Sequence, residues 1–273
     1  MLLSLPLEIL DNILVRLPFK ERRWESVRGL AIRFRRNYSA AAVSHMLARC
    51  AAHVEGFDVF VCRLFRRHTL CWVRVLADKR VRSLNLDFEI SPDDVHRVVG
   101  LVFPTIASAI DDCGDLSDLR LSYCQLRPPP ALPFAGFSGL TRLVLSTVSF
   151  PFASAGALLG RVTAGAPDLD DLVLREVSTG VAGGEVEAWA IWAPKLRMLT
   201  LWMAIGNGGR IAERLPLLET ADIIVDCLLG TEDILNTLWK VAAVKVLNFF
   251  VYDKEGLINH VSFLGIGCAT RCI

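Results

Sequence analysis

From residue 81 onward the apolar positions follow one recurring spacing, apolar-x-x-apolar-x-apolar. It occurs at Val81/Leu84/Leu86, Leu116/Leu119/Leu121, Leu140/Leu143/Leu145, Leu169/Leu172/Leu174, Leu196/Leu199/Leu201, Leu218/Ala221/Ile223 and Val244/Leu247/Phe249. The last two positions of each triplet are separated by one residue, so their side chains share one face of a short strand. The first fills the turn that leads into that strand. The spacing predicts seven strands centred near Leu84, Leu119, Leu143, Leu172, Leu199, Ala221 and Leu247.

Turn-forming residues stand just before most of these triplets, with Pro167, Pro194 and Pro216 ahead of three. Proline fixes φ and cannot donate to a strand ladder, so it suits a turn before a strand. Successive triplets start 35, 24, 29, 27, 22 and 26 residues apart. Units of 20–29 residues are the leucine-rich-repeat range, in which stacked units build a parallel sheet over one continuous core. The segments between triplets are irregular. Residues 91–110 read as a helix, with Ser91 as N-cap, Pro92 at the first helical position and Val95, Val98, Val99 and Val102 at helical spacing. Residues 154–165 also read as a helix, whereas Pro128, Pro129 and Pro130 exclude one from 125–137. The position three residues after each triplet holds Cys124 once, but Val148 and Val177 in two later units. The fold class expected is α/β, an irregular leucine-rich-repeat solenoid over 81–251.

Two helical patterns precede the repeats. Residues 38–53 place Ala42, Met46, Leu47 and Cys50 on one face, and residues 68–79 place Trp72, Val75 and Leu76 on another. A strand-like stretch, FDVFVCRLF, lies between them. Residues 38–80 are expected to be a helical linker that caps the N-terminal end of the solenoid. Residues 252–273 do not continue the repeat and are expected to form an irregular tail.

Composition narrows the classes. The 273 residues are 53% hydrophobic and 22% charged, with a formal net charge of +1. That excludes intrinsic disorder, and average Gly and Pro contents exclude a collagen-like chain. The apolar run 241–252 is broken by Lys245, and Glu8 and Asp11 interrupt the apolar N-terminus. Neither a membrane span nor a signal peptide is expected. The neutral total conceals an asymmetry. Residues 1–82 carry 16 Lys+Arg against 7 Asp+Glu, net +9; the remaining 14 against 22 give net −8. The arginines form no groove-reading motif, so no nucleic-acid partner is expected. Eight scattered cysteines without a CxxC point to buried thiols in a reducing compartment.

Residues 5–21 read LPLEILDNILVRLPFKE. Pro6 suits the first turn of a helix, and Ile9, Leu10, Ile13, Leu14 and Leu17 then form a wide apolar stripe that Pro18 ends. This segment resembles the start of an F-box, and RRWESV at 22–27 resembles its far end. Over residues 5–251 the chain is similar to plant F-box proteins with leucine-rich repeats. The resemblance implies the substrate-recognition subunit of an SCF-type cullin–RING E3 ubiquitin ligase, in the cytoplasm or nucleus. It implies an F-box that binds a Skp-family adaptor and repeats that bind a client protein. By position, Leu5, Pro6, Ile9, Leu10, Ile13, Leu14, Leu17 and Pro18 match the adaptor-binding motif. An aliphatic stripe of this kind fits a helix-in-groove contact. Residues 1–37 are the degenerate F-box-like segment. About a dozen residues of the family pattern are missing where Glu21 joins Arg22, and 259–273 departs from the family's C-terminal region. The alternative is a leucine-rich-repeat protein-interaction scaffold without ligase function.

No enzymatic constellation accompanies these features. His45, His53, His68, His96 and His260 are scattered, with no zinc-type spacing. Cys268 and Cys272 lie in the tail. Asp93–Asp94, Asp111–Asp112 and Asp170–Asp171 sit near helix starts and turns, where capping and solvation account for them. The Gly-rich stretches 180–185 and 206–210 lack nucleotide-binding spacing, and GxSxG is absent. The chain is read as a non-enzyme with no cofactor and no metal.

Overall fold

The computed structural model describes residues 30–34, 39–50, 53–61, 65–88, 109–110, 112–125, 137–150, 155–177, 189–203, 209–211, 215–226, 231–252 and 258–264. Its elements in chain order are β1 (Leu30–Phe34), α1 (Ala40–Arg49), β2 (Val54–Val61), α2 (Arg66–Asp78), β3 (Ser83–Phe88), β4 (Asp118–Gln125), β5 (Arg142–Ser149), α3 (Ala155–Ala164), β6 (Asp171–Arg175), β7 (Trp189–Ile191), β8 (Met198–Met203), β9 (Gly209–Ile211), β10 (Thr220–Asp226), α4 (Thr231–Val241), β11 (Val246–Tyr252) and β12 (Ile258–Leu264). Ten strands make one sheet in the order β1-β2-β3-β4-β5-β6-β8-β10-β11-β12. The first nine run parallel, and β12 closes the sheet antiparallel to β11. The small strands β7 and β9 pair with each other in a second, parallel sheet.

The register follows the triplets. Leu84, Leu119, Leu143, Leu172, Leu199, Ala221 and Leu247 are Cα partners in sequence across seven strands, as are Leu86, Leu121, Leu145, Leu174, Leu201, Ile223 and Phe249. Ile32 and Phe57 extend the first row into β1 and β2. A one-residue slip would turn every leucine to the other face, so burial of one face fixes the pairing. The first six triplets are buried throughout; in the seventh only Val244 is, and Leu247 and Phe249 are half-buried. This falls in the unit that has β10 on one side but the antiparallel β12, not a further repeat strand, on the other.

The turns repeat as regularly as the strands. The amide of Leu116 donates to Cys113, Leu140 to Phe137, Leu169 to Ala166, Leu196 to Ala193, Leu218 to Leu215 and Val244 to Val241, all from the first triplet residue to a carbonyl three residues earlier. Both ends of each turn are buried. The carbonyls of Arg82, Ser117, Thr141, Asp170, Arg197 and Glu219 each accept two amides from the next unit. Buried polar backbone is thereby satisfied from one unit to the next, without a side-chain ladder.

Three residues hold left-handed backbone at equivalent places, Tyr123 (φ 57), Thr147 (φ 52) and Glu176 (φ 50). Each precedes a buried residue: Cys124, Val148 and Val177. Strand alternation would send residues 124, 148 and 177 to the polar face; one left-handed residue shifts the alternation and turns them into the core. Outside glycine such backbone costs about 1–2 kcal/mol per residue. The burial that follows offsets it, and Thr147 Oγ1 donates to Glu176 Oε2 at 2.8 Å between two of these residues.

Several expectations need correction. Residues 38–80 hold α1, β2 and α2, the strand-like stretch FDVFVCRLF supplying most of β2, which joins the main sheet; β1 adds a further strand, so the sheet begins inside the 1–37 segment. The buried stripe of α1 is Ala40, Val43 and Leu47, followed by Cys50, with Ala42 exposed. Leu47 and Cys50 are buried as the periodicity expects and Met46 packs half-buried against the core; Ala42 alone of that stripe is exposed. Helix α2 buries Thr69, Trp72, Val73 and Leu76. It ends with Arg80 in left-handed backbone (φ 58), the Val81 amide bonding to Leu76 O and the Arg80 amide to Ala77 O. This is a Schellman end that buries Leu76 against the first triplet residue. The tail 252–273 is not irregular throughout, because Ile258–Leu264 forms β12, whose partner Val246–Tyr252 fixes it. The helix expected over 91–110 lies outside the described residues except Ala109 and Ile110, which are helical and buried. The helix expected at 154–165 is α3.

Candidate interaction face

The adaptor-matching residues Leu5, Pro6, Ile9, Leu10, Ile13, Leu14, Leu17 and Pro18 lie outside the described residues. Within the described residues, the feature that a partner could read is the sheet face opposite the core. Helices α1, α2, α3 and α4 contribute buried side chains to the core face, among them Val43, Trp72, Leu159 and Val241. Residues that alternate with the triplet leucines project from the other face.

On its N-terminal half that face carries matched charges. Arg33 Nε pairs with Asp58 Oδ2 at 2.7 Å, and Asn85 Nδ2 donates to Asp58 Oδ1 at 2.9 Å. Arg120 binds Asp118 through two bonds, Nε to Oδ1 at 3.1 Å and Nη2 to Oδ2 at 2.8 Å. Arg142 Nε pairs with Asp171 Oδ2 at 3.0 Å. Asp118, Arg142 and Asp171 are register partners on three successive strands, so they form a charge cluster in the middle of the face. Its value is chiefly alignment, since ion pairs of this exposure stabilise by about 0–1 kcal/mol.

Asp171 is different because it is 9% exposed. Burial pushes its pKa up; Arg142 pulls it back down, while Asp170 and Asp118 add to the rise. A raised native pKa means the folded chain holds the proton more tightly than the unfolded chain. The cost of ionising Asp171 is therefore absent below the unfolded carboxylate value and complete above the native one. Asp171→Asn is expected to gain stability relative to the parent as pH rises from about 4 through the raised native value. Urea unfolding midpoints across that range measure it; a constant difference between the two proteins would show that Asp171 ionises in the fold as it does in the unfolded chain.

The C-terminal half of the face carries apolar side chains on either side of a polar row of Thr200, Asp222 and Asn248. Met198 (44% exposed) and Trp202 project from β8, Ile224 from β10, and Phe250 and Tyr252 (37% exposed) from β11. The rings of Trp202 and Tyr252 meet across β10, centroids 5.9 Å apart and tilted by 59°. Aromatic side chains with one wet edge are enriched at protein interfaces. The sequence reading passed over these residues because it tracked the buried member of each pair. Their signal is the apolar residue at an alternate position where earlier units are charged or polar, as in MLTLW (198–202) against DLRLS (118–122), with Met198 in the place of Asp118 and Trp202 in that of Ser122.

Other chemistry is sparse among the described residues. No group of three or more His, Cys, Asp or Glu there could hold a metal ion. Cys50, Cys113 and Cys124 are buried and Cys71 is exposed. Burial pushes the Cys113 and Cys124 thiols up to about 12, with Asp112 adding to the effect on Cys113, so neither is a thiolate at neutral pH. A shallow cleft of about 370 Å³ at the C-terminal ends of α1 and α2 is lined by Leu47, His53, Val75, Asp78 and Lys79. His53 Nδ1 is already engaged with Lys79 O at 2.9 Å, and Lys79 Nζ donates to Cys50 O. No helix among the described residues is long and apolar enough to cross a membrane. No family model, curated protein or solved structure matches the chain.

Proposed function

We propose that the chain is the substrate-recognition subunit of an SCF-type cullin–RING E3 ubiquitin ligase, working in the cytoplasm or nucleus. In this reading the units over 81–251 form an irregular leucine-rich-repeat solenoid whose open face holds the client. The N-terminal F-box-like segment holds the Skp-family adaptor. The observation that carries the reading is the row of triplet leucines, in register over consecutive parallel strands and preceded in the sequence by the F-box-like segment. Such a sheet offers a broad face, which suits recruitment of a partner.

One observation favours a second reading, an interaction scaffold without ligase function: Glu21 joins Arg22 directly, where the family pattern has about a dozen more residues. Interface energy concentrates in a few anchors that surrounding residues must shield from water. Binding of purified Skp adaptor by this chain is therefore expected to be weak. Inserting about a dozen family-like residues between Glu21 and Arg22 is expected to tighten it by about tenfold or more. In the extended chain, Leu5→Ala with Pro6→Ala is expected to weaken binding, and His260→Ala is not. Titration of both chains with adaptor decides between the readings. Equal failure by both would leave the scaffold.

A further inference from the structure

Building on the reading that the open face holds a client, we propose that its C-terminal half docks an extended client segment in which an acidic side chain is followed, at alternate residues, by apolar ones. The segment lies across the strands with its acid on Arg175.

One row of the face carries the argument. Ser122, Ser146 and Arg175 are register partners on β4, β5 and β6. Beyond Leu174↔Leu201 the same row continues to Trp202, and then to Ile224 and Phe250 as register partners. The row thus changes from hydroxyls, through one cation, to three apolar residues. Arg175 is exposed, and its side chain has no ion-pair or hydrogen-bond partner among the described residues. That distinguishes it from Arg33, Arg120 and Arg142 on the same face, each held by an aspartate. Asp222, two residues before Ile224, already accepts from Asn248 Nδ2 at 2.7 Å. Arg175 thus sets a cation without a partner among the described residues beside an apolar run, which suits an anion followed by apolar groups.

Spacing sets the order of the client's residues. Strands in a sheet lie about 4.8 Å apart, so Phe250 stands about 14 Å from Arg175 along the row, with Trp202 and Ile224 between. Same-face side chains of an extended segment recur every 6.8 Å or so. An acid on Arg175 therefore places the next same-face residue between Trp202 and Ile224, and the one after it on Phe250. Apolar side chains at those places bury the tilted Trp202 and Tyr252 rings, which are the large aromatic surface that interface energetics favours.

A random short-peptide library displayed on phage, selected against the full chain and against its Arg175→Glu and Trp202→Ala variants, tests this. The parent is expected to enrich acid-x-apolar-x-apolar sequences, with synthetic peptides of that pattern binding about tenfold tighter than copies carrying lysine for the acid. Arg175 is exposed, so Arg175→Glu keeps the fold and is expected to reverse that preference. Trp202→Ala is expected to lose both. No enriched pattern, enrichment of basic residues by the parent, or an acidic preference that survives Arg175→Glu would each overturn the proposal. The ligase reading stands or falls separately, on the adaptor titration.

Discussion

Leu172→Ala is expected to destabilise the chain by about 2–5 kcal/mol, a large part of what a typical fold has to lose. Leu172 is fully buried in β6, midway along the row that runs from Leu84 to Leu247. Its register partners Leu143 and Leu199 are almost wholly buried as well, so they have no solvent-facing room to relax into the space left by the missing carbons. A cavity that its walls cannot fill loses transfer free energy and dispersion contacts together. Stacked units contact mainly their neighbours. Hydrogen exchange should therefore rise first in β5, β6 and β8, and later in β3 and β11. Chemical denaturation measures the total and exchange maps its spread. A loss below about 1 kcal/mol would mean that this part of the core collapses readily around deletions.

What could be read from the sequence was whatever repeats. The seven strand centres fall in β3, β4, β5, β6, β8, β10 and β11, because a triplet states both the strand period and the turn before it. Strands β1 and β12 were missed for a physical reason. Each has one neighbour in the main sheet; LAIRF is shorter than the triplet, and INHVSFL carries the triplet spacing at Ile258, Val261 and Phe263 but starts only 14 residues after Val244, short of the repeat interval, and pairs antiparallel. Their place is fixed by pairing with β2 and β11, which spacing along the chain does not state. In the stripe expected for α1 only Ala42 falls outside the core, because AAAVSHMLAR is rich in alanine, which sits on any helix face at little cost. The left-handed residues Tyr123, Thr147 and Glu176 were invisible for the opposite reason: turn chemistry would put Gly or Asn there, and these residues gave no such signal. On the open face, Asp118, Arg120, Arg142 and Asp171 are plain in the sequence as charges, but only the register shows that they meet. The same register joins Arg175 to the aromatic run, which spacing along the chain cannot do.

Trp72→Ala is expected to cost as much as the central leucine, about 3–5 kcal/mol, yet to act at a different place. Trp72 is 2% exposed and sits mid-way along α2, between Thr69, Val73 and Leu76 on the buried face. Its Nε1–H donates to Ser44 Oγ of α1 at 2.9 Å, and His68 stacks on it with centroids 6.1 Å apart. The indole thus ties the two N-terminal helices to each other as well as to the core under β2 and β3. Removing it leaves a large cavity and a hydroxyl without its donor. Trp72→Phe separates the two effects: it keeps most of the volume and loses the hydrogen bond, for a cost of about 1–2 kcal/mol. The damage from Trp72→Ala should open α1, α2 and β2 to exchange while β8, β10 and β11 stay protected, since several units lie between them. Paired exchange maps of the two variants make the comparison. If Trp72→Ala and Leu172→Ala expose the same amides in the same order, stability in this chain is global, and the one-dimensional stacking inferred from the register does not govern how it unfolds.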